Sequence, residues 1–206
     1  MKSQLANFEK QLSKHTLEHT LELIQEGKLT AYYLRGPEGG RMMSTLIVFT
    51  PEGIVLQGDL TPERNGSVSS MGYGLNWFAG TLSDTYLCEK FLTKRFVLEL
   101  AIDQLSDPVK NYYCDVEGED LEALKALAEE LKSGDHGPEW LYEELSELGQ
   151  GYVDDGIPGW GYDPNQAAWL VAIQRRFSAL YHEQAARTQQ VADAIIESAT
   201  VSAATT

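Results

Sequence analysis

His15-Thr16-Leu17-Glu18-His19 sets two imidazoles four residues apart, with a carboxylate next to the second. On a helix, residues four apart share a face. His15 and His19 could then hold one divalent ion, and Glu18 could serve a metal-bound water as general base. A hydrolytic zinc site also needs a third protein ligand. Glu89 and Glu99 are the available donors, and neither lies at a recognisable metal spacing. Two imidazoles on the polar side of an amphipathic helix is the simpler reading. The expectation is no bound metal, no cofactor and no catalysis.

Other chemistries fail earlier. Ser44, Ser67, Ser69 and Ser70 lack the G-x-S-x-G elbow of a hydrolase nucleophile. His136 and His182 have no acid–nucleophile partner close in sequence. Gly36, Gly39 and Gly40 precede Arg41 without the G-K-[ST] of a phosphate loop. Cys88 and Cys114 cannot form a disulfide framework or a zinc spacing, and are expected to be reduced, buried thiols.

Charge is more informative than any of these. The chain carries a formal net charge of −15, and its 63 residues from Ala101 to Asp163 hold 17 Asp and Glu against three Lys. Between Ser133 and Asp163 there is no Lys or Arg. Surface helices usually mix signs, and Glu–Glu pairs one turn apart, such as Glu139–Glu143, are mildly unfavourable. An ordinary solvated face is one explanation; a face that meets a basic partner is the other. Such a field repels nucleic acid and attracts Lys- and Arg-rich protein surfaces. The expected partner-binding residues are Glu139, Glu143, Glu144, Glu147, Asp154 and Asp155.

Several elements must position these groups. Residues 3–26 read as a helix, capped by Ser3, with Leu5, Phe8, Leu12, Leu17, Leu21 and Ile24 near helical spacing and Gly27 at its end. Leu29–Leu34, Ser44–Thr50, Ile54–Leu60 and 66–73 read as strands, with Pro51-Glu52-Gly53 as a tight hairpin turn. Helical pattern follows Gly74, with Asp84 as a cap. The stretch Phe96–Leu105 suits a buried helix or a strand. Glu119–Lys132 is a helix with a stripe of Leu121, Leu124, Leu127 and Leu131. Pro138 opens a second, with Leu141, Leu145 and Leu148 inward. Gln150–Tyr162 reads as a Gly-rich loop whose Trp160 and Tyr162, with Trp169, either plug a core edge or anchor a ligand or partner. Asp163-Pro164 starts a long last helix, in which Arg175-Arg176 should answer neighbouring carboxylates.

Together these predict an α+β fold: a small antiparallel sheet with several helices, in a single domain over 1–197, and a disordered tail over 198–206. No apolar run approaches the roughly 18 residues of a membrane span. The start is not a signal peptide, so a cytoplasmic setting is expected.

Two resemblances bear on function. The pentapeptide 15–19 resembles the H-x-x-E-H zinc motif of inverzincin peptidases over those five residues. The stretch 46–92 resembles a group of small uncharacterised bacteriophage and prophage proteins. Its pieces are the hairpin Pro51-Glu52-Gly53-Ile54-Val55-Leu56-Gln57-Gly58-Asp59, the aromatic Leu75-Asn76-Trp77-Phe78, and Tyr86-Leu87-Cys88-Glu89-Lys90-Phe91. The late Ala168-Trp169…Ala172-Ile173…Tyr181 is similar to the group's closing helix. An extra residue between Pro51 and Gly53 and a divergent 60–72 depart from the pattern. The resemblance implies a phage setting in a bacterial host cytoplasm. It makes the leading expectation an acidic protein that binds and inhibits a host nucleic-acid-binding defence complex, such as a CRISPR effector or a restriction system. The alternatives are a phage accessory or structural protein that binds another protein, and a metal hydrolase using His15, Glu18 and His19.

Overall fold

Thr50 shows how the sheet is started. Its hydroxyl accepts from the backbone amides of Glu52 and Gly53 at 3.1 and 3.0 Å, and its own amide donates to the Gly53 carbonyl at 2.8 Å. This closes the Pro51–Glu52 turn and pairs β3 (Thr45–Phe49) with β4 (Gly53–Gly58). A Cβ at Gly53 would meet the Ser70 carbonyl at 2.1 Å, so only glycine lets the neighbouring strand approach.

The computed structural model describes residues 19–36, 44–58, 67–111, 113, 116–149, 151–154 and 156–204. They form two compact units, where one domain over 1–197 is the sequence expectation. One spans 93–164; the other joins the described residues up to Leu92 with those from Asn165 onward. The fold is α+β, as expected.

In the discontinuous unit, β1 (Thr20–Gln25), β2 (Thr30–Arg35), β3, β4 and β5 (Ser67–Met71) form an antiparallel meander in sequence order. Leu34, Ile47, Ile54 and Leu56 are fully buried. Above them lies an aromatic core. Phe177 sits 5.3 Å from Tyr32, 5.7 Å from Phe49 and 5.4 Å from Phe78, ring centre to ring centre. Burying each such side chain stabilises the fold by about 1.5–3 kcal/mol.

Phe78 closes the one-turn α1 (Leu75–Phe78), and α2 (Asp84–Phe91) follows. The cap of α2 is Ser83, whose hydroxyl accepts from the Tyr86 amide at 3.3 Å; Asp84 is the first helical residue instead. The serine satisfies the free amide, and the aspartate adds charge to the first turn.

The continuous unit holds α3 (Leu98–Ser106), α4 (Pro108–Asn111), α5 (Gly118–Leu131), α6 (Pro138–Leu148) and α7 (Gly151–Asp154). The stretch 96–105 resolves as a strand end followed by a helix. Leu124, Leu127, Leu131, Leu141 and Leu145 are buried together with Ala101 and Leu105. Leu121 and Leu148 pack against that core half-buried, so both leucine stripes face inward as expected. A two-residue ribbon joins the ends of this unit: β6 (Arg95–Phe96) pairs antiparallel with β7 (Trp160–Gly161), and Arg95 forms an ion pair with Asp163. The stretch expected as a Gly-rich loop over 150–162 thus contains a helical turn and a strand.

The last helix, α8, spans Pro164–Ala204, so its bounds run past the Ser198 at which a tail is expected. The larger correction is at the other end. Residues 20–25, expected as the end of a helix over 3–26, are strand β1. Residues 3–18 of that expected helix lie outside the described residues. Leu21 is buried, but Ile24 is 54% exposed, so the helical stripe inferred from the two is not a packed face.

Candidate functional site

The acidic helix α6 begins at Pro138, whose missing amide hydrogen costs nothing at a helix start. Burial of Leu141 and Leu145 fixes its rotation. Glu139, Glu143 and Glu147 then fall one turn apart in a single exposed row, and Glu144 lies beside it, half-buried. Among the described residues none of these four glutamates forms an ion pair. The three lysines of the segment are engaged locally. Lys110 pairs with Asp107 at 4.0 Å, Lys125 with Glu122 at 2.8 Å and Lys132 with Glu129 at 2.5 Å, each three residues apart. Asp154 closes α7, and Asp155 lies outside the described residues.

One acid on α5 has a structural task. The Tyr152 hydroxyl donates to Asp120 at 2.6 Å, while Tyr113 donates to the Tyr152 carbonyl at 2.7 Å. That hydrogen bond to the Asp120 carboxylate pushes the Tyr152 phenol above its ordinary range, because losing its proton would set two negative charges together. Asp120 therefore braces α7 against α5.

His19 departs from both readings of residues 15–19, each of which places it on a helix. It is 1% exposed, precedes strand β1, and its carbonyl accepts from Arg176 at 2.8 Å. It does not lie on the polar side of a helix. His15 and Glu18 are outside the described residues. Among the described residues, no group of three or more His, Cys, Asp or Glu could hold a metal ion.

The aromatic loop divides. Trp169 is buried, whereas Trp160 is 55% exposed on β7, and the Lys94 ammonium lies 5.7 Å from the Tyr162 ring centre. Arg175 pairs with Asp84 at 2.9 Å, within the sheet-bearing unit. Tyr73 and Lys90, which the sequence places only at the ends of a strand and a helix, meet at Trp77 and Tyr86. The spacing of Tyr86 and Lys90 is the one legible sign of this; Tyr73 arrives through the fold. Among the described residues, no helix is long and apolar enough to cross a membrane.

No family model matches the chain, and no curated protein or solved structure matches it either.

Proposed function

We propose that residues 93–164 form an acidic docking module. It binds the basic, nucleic-acid-handling surface of another protein, and the chain acts by occupancy, not catalysis. The observation that carries this is the row Glu139, Glu143, Glu147 with Glu144 beside it, lacking ion-pair partners among the described residues, while Lys110, Lys125 and Lys132 each pair with an acid three residues away. With the phage resemblance, the favoured target is a host defence complex whose groove would otherwise hold nucleic acid. The chain's own charge disfavours direct binding of nucleic acid.

Spacing refines the reading. One helical turn separates row charges by about 6 Å, whereas a duplex carries one charge per roughly 1.7 Å of axis. A single glutamate row is too sparse to copy a duplex charge for charge. Complementarity to scattered Lys and Arg requires less.

The test is capture of partners from host lysate across a salt series, with the triple variant Glu143→Lys, Glu144→Lys, Glu147→Lys alongside. Binding should weaken steeply with salt and vanish in the variant. Retained binding by a folded variant would reject the reading. The accessory-protein alternative rests on exposed Trp160. It predicts the opposite pattern: loss in Trp160→Ala and little response to salt.

A further inference from the structure

Three aromatic rings and one ammonium converge where the sheet gives way to the helices after it. Tyr73 and Trp77 stack with ring centres 4.3 Å apart and planes 34° from parallel. Tyr86 stands across both, at 90° to Tyr73 and 71° to Trp77, with centres 6.5 and 6.0 Å away. The Tyr86 hydroxyl donates to the Tyr73 hydroxyl at 3.4 Å and holds the corner. Lys90 lies one turn after Tyr86 on α2. Its Nζ sits 4.9 Å from the Tyr86 centroid and 5.7 Å from that of Tyr73.

Two perpendicular ring faces therefore look at one cation. Each face is the negative side of a quadrupole, so their fields add at the ammonium. The hydrogen bond from Tyr86, and then Lys90, hold the Tyr73 phenol below its ordinary range, while Tyr73 raises Lys90, so Lys90 stays charged here. Trp77 backs Tyr73, and Phe91 stacks on Trp77 from 6.2 Å, so the wall is braced from behind. Phe91 is buried, whereas Tyr73, Trp77 and Lys90 are half-buried and Tyr86 is exposed, so solvent reaches the corner.

We propose that this corner is a binding site for a quaternary or methylated alkylammonium group, with Lys90 as a tethered competitor that fills it in the free protein. A primary ammonium is strongly hydrated and gives up water reluctantly to a half-exposed aromatic surface. A trimethylammonium group carries the same charge with a thinner hydration shell and more contact area. It can displace Lys90, whose flexible stem lets the ammonium return to water. The site belongs to the sheet-bearing unit and uses no acidic residue of the proposed docking module, so either can fail without the other.

The test titrates the full chain with choline and, separately, with an N-acetyl trimethyl-lysine amide. A third arm uses the neutral carbon analogue of choline, in which tert-butyl replaces trimethylammonium. Calorimetry reads affinity and circular dichroism checks folding. Both cations should bind saturably while the neutral analogue does not. The tighter cation identifies the source, a free small molecule or a modified protein. Lys90→Met should bind about tenfold more tightly and Tyr86→Leu about tenfold more weakly, the scale of one partly desolvated cation–π contact. Lys90→Gln substitutes if the methionine variant does not fold. Equal binding of choline and its neutral analogue, or no gain on removing Lys90, would overturn the proposal.

Discussion

The side-chain amide of Gln174 donates to the carbonyl of Phe78 at 2.8 Å, tying the long last helix to the end of a one-turn helix 96 residues earlier. The same nitrogen reaches the Gly80 carbonyl at 2.9 Å. Ser178 donates to the Ala79 carbonyl at 2.5 Å, and His182 Nε2 lies 3.0 Å from it. Positions 174, 178 and 182 are successive turns of one helix face. The carbonyl that ends α1 and the two that follow it are thus satisfied by another element.

Gln174→Leu keeps the bulk and removes both donors. It should destabilise the protein by about 1–3 kcal/mol, the cost of buried acceptors left unpaired. Urea unfolding checks this, with a lower midpoint and an unchanged slope.

Gly159→Ala should be among the more damaging single-methyl additions. Gly159 has φ +89°, and a Cβ there would lie 2.7 Å from the Ala101 Cβ and 3.1 Å from the Val97 carbonyl. Strain and overpacking together predict a loss of roughly 2–4 kcal/mol. Gly72→Ala is the control: φ is +77°, but nothing lies within 4 Å of the new Cβ. It should lose only about 1 kcal/mol. Equal losses in thermal unfolding would contradict the packing argument.

Burial pushes the Cys88 thiol up to about 11, with Asp84 adding to the shift. A thiol whose folded value exceeds its unfolded one stays neutral in the fold while the unfolded chain ionises. Stability should therefore fall as pH rises from about 9 toward 11, with no contribution below that window. In a Cys114→Ser background, labelling of Cys88 by a thiol reagent at pH 8 should be slow in the native state and fast in urea.

The charge-reversal triple variant should melt within about 0.5 kcal/mol per site of the parent, as solvent-facing changes usually do. A stability loss well beyond that would mean the glutamates, half-buried Glu144 above all, serve the fold instead of a partner.

Much of this architecture was legible in the sequence. The 51–53 turn, the strands around it and the leucine stripes of α5 and α6 follow from local chemistry, and all three stand in the structure. Strand β1 was not. Leu17, Leu21 and Ile24 mimic a helical period, while an edge strand with one buried residue shows almost no alternation. A bulge between Leu23 and Gln25 blurs the two-residue period further. Gly27 suits a helix stop, but it equally opens the turn of a hairpin over 20–35. The outward row of Glu139, Glu143 and Glu147 was legible because leucines fix the rotation of α6; the partial burial of Glu144 was not. The corner at Tyr73 was not, since no local pattern shows which residue a strand end will bring to a helix.

The ribbon of Arg95–Phe96 and Trp160–Gly161 has a consequence for heredity and engineering. Because these strands lie side by side, the chain enters and leaves the acidic unit at neighbouring points. A cassette with adjacent ends can be gained, lost or exchanged at little cost in loop closure.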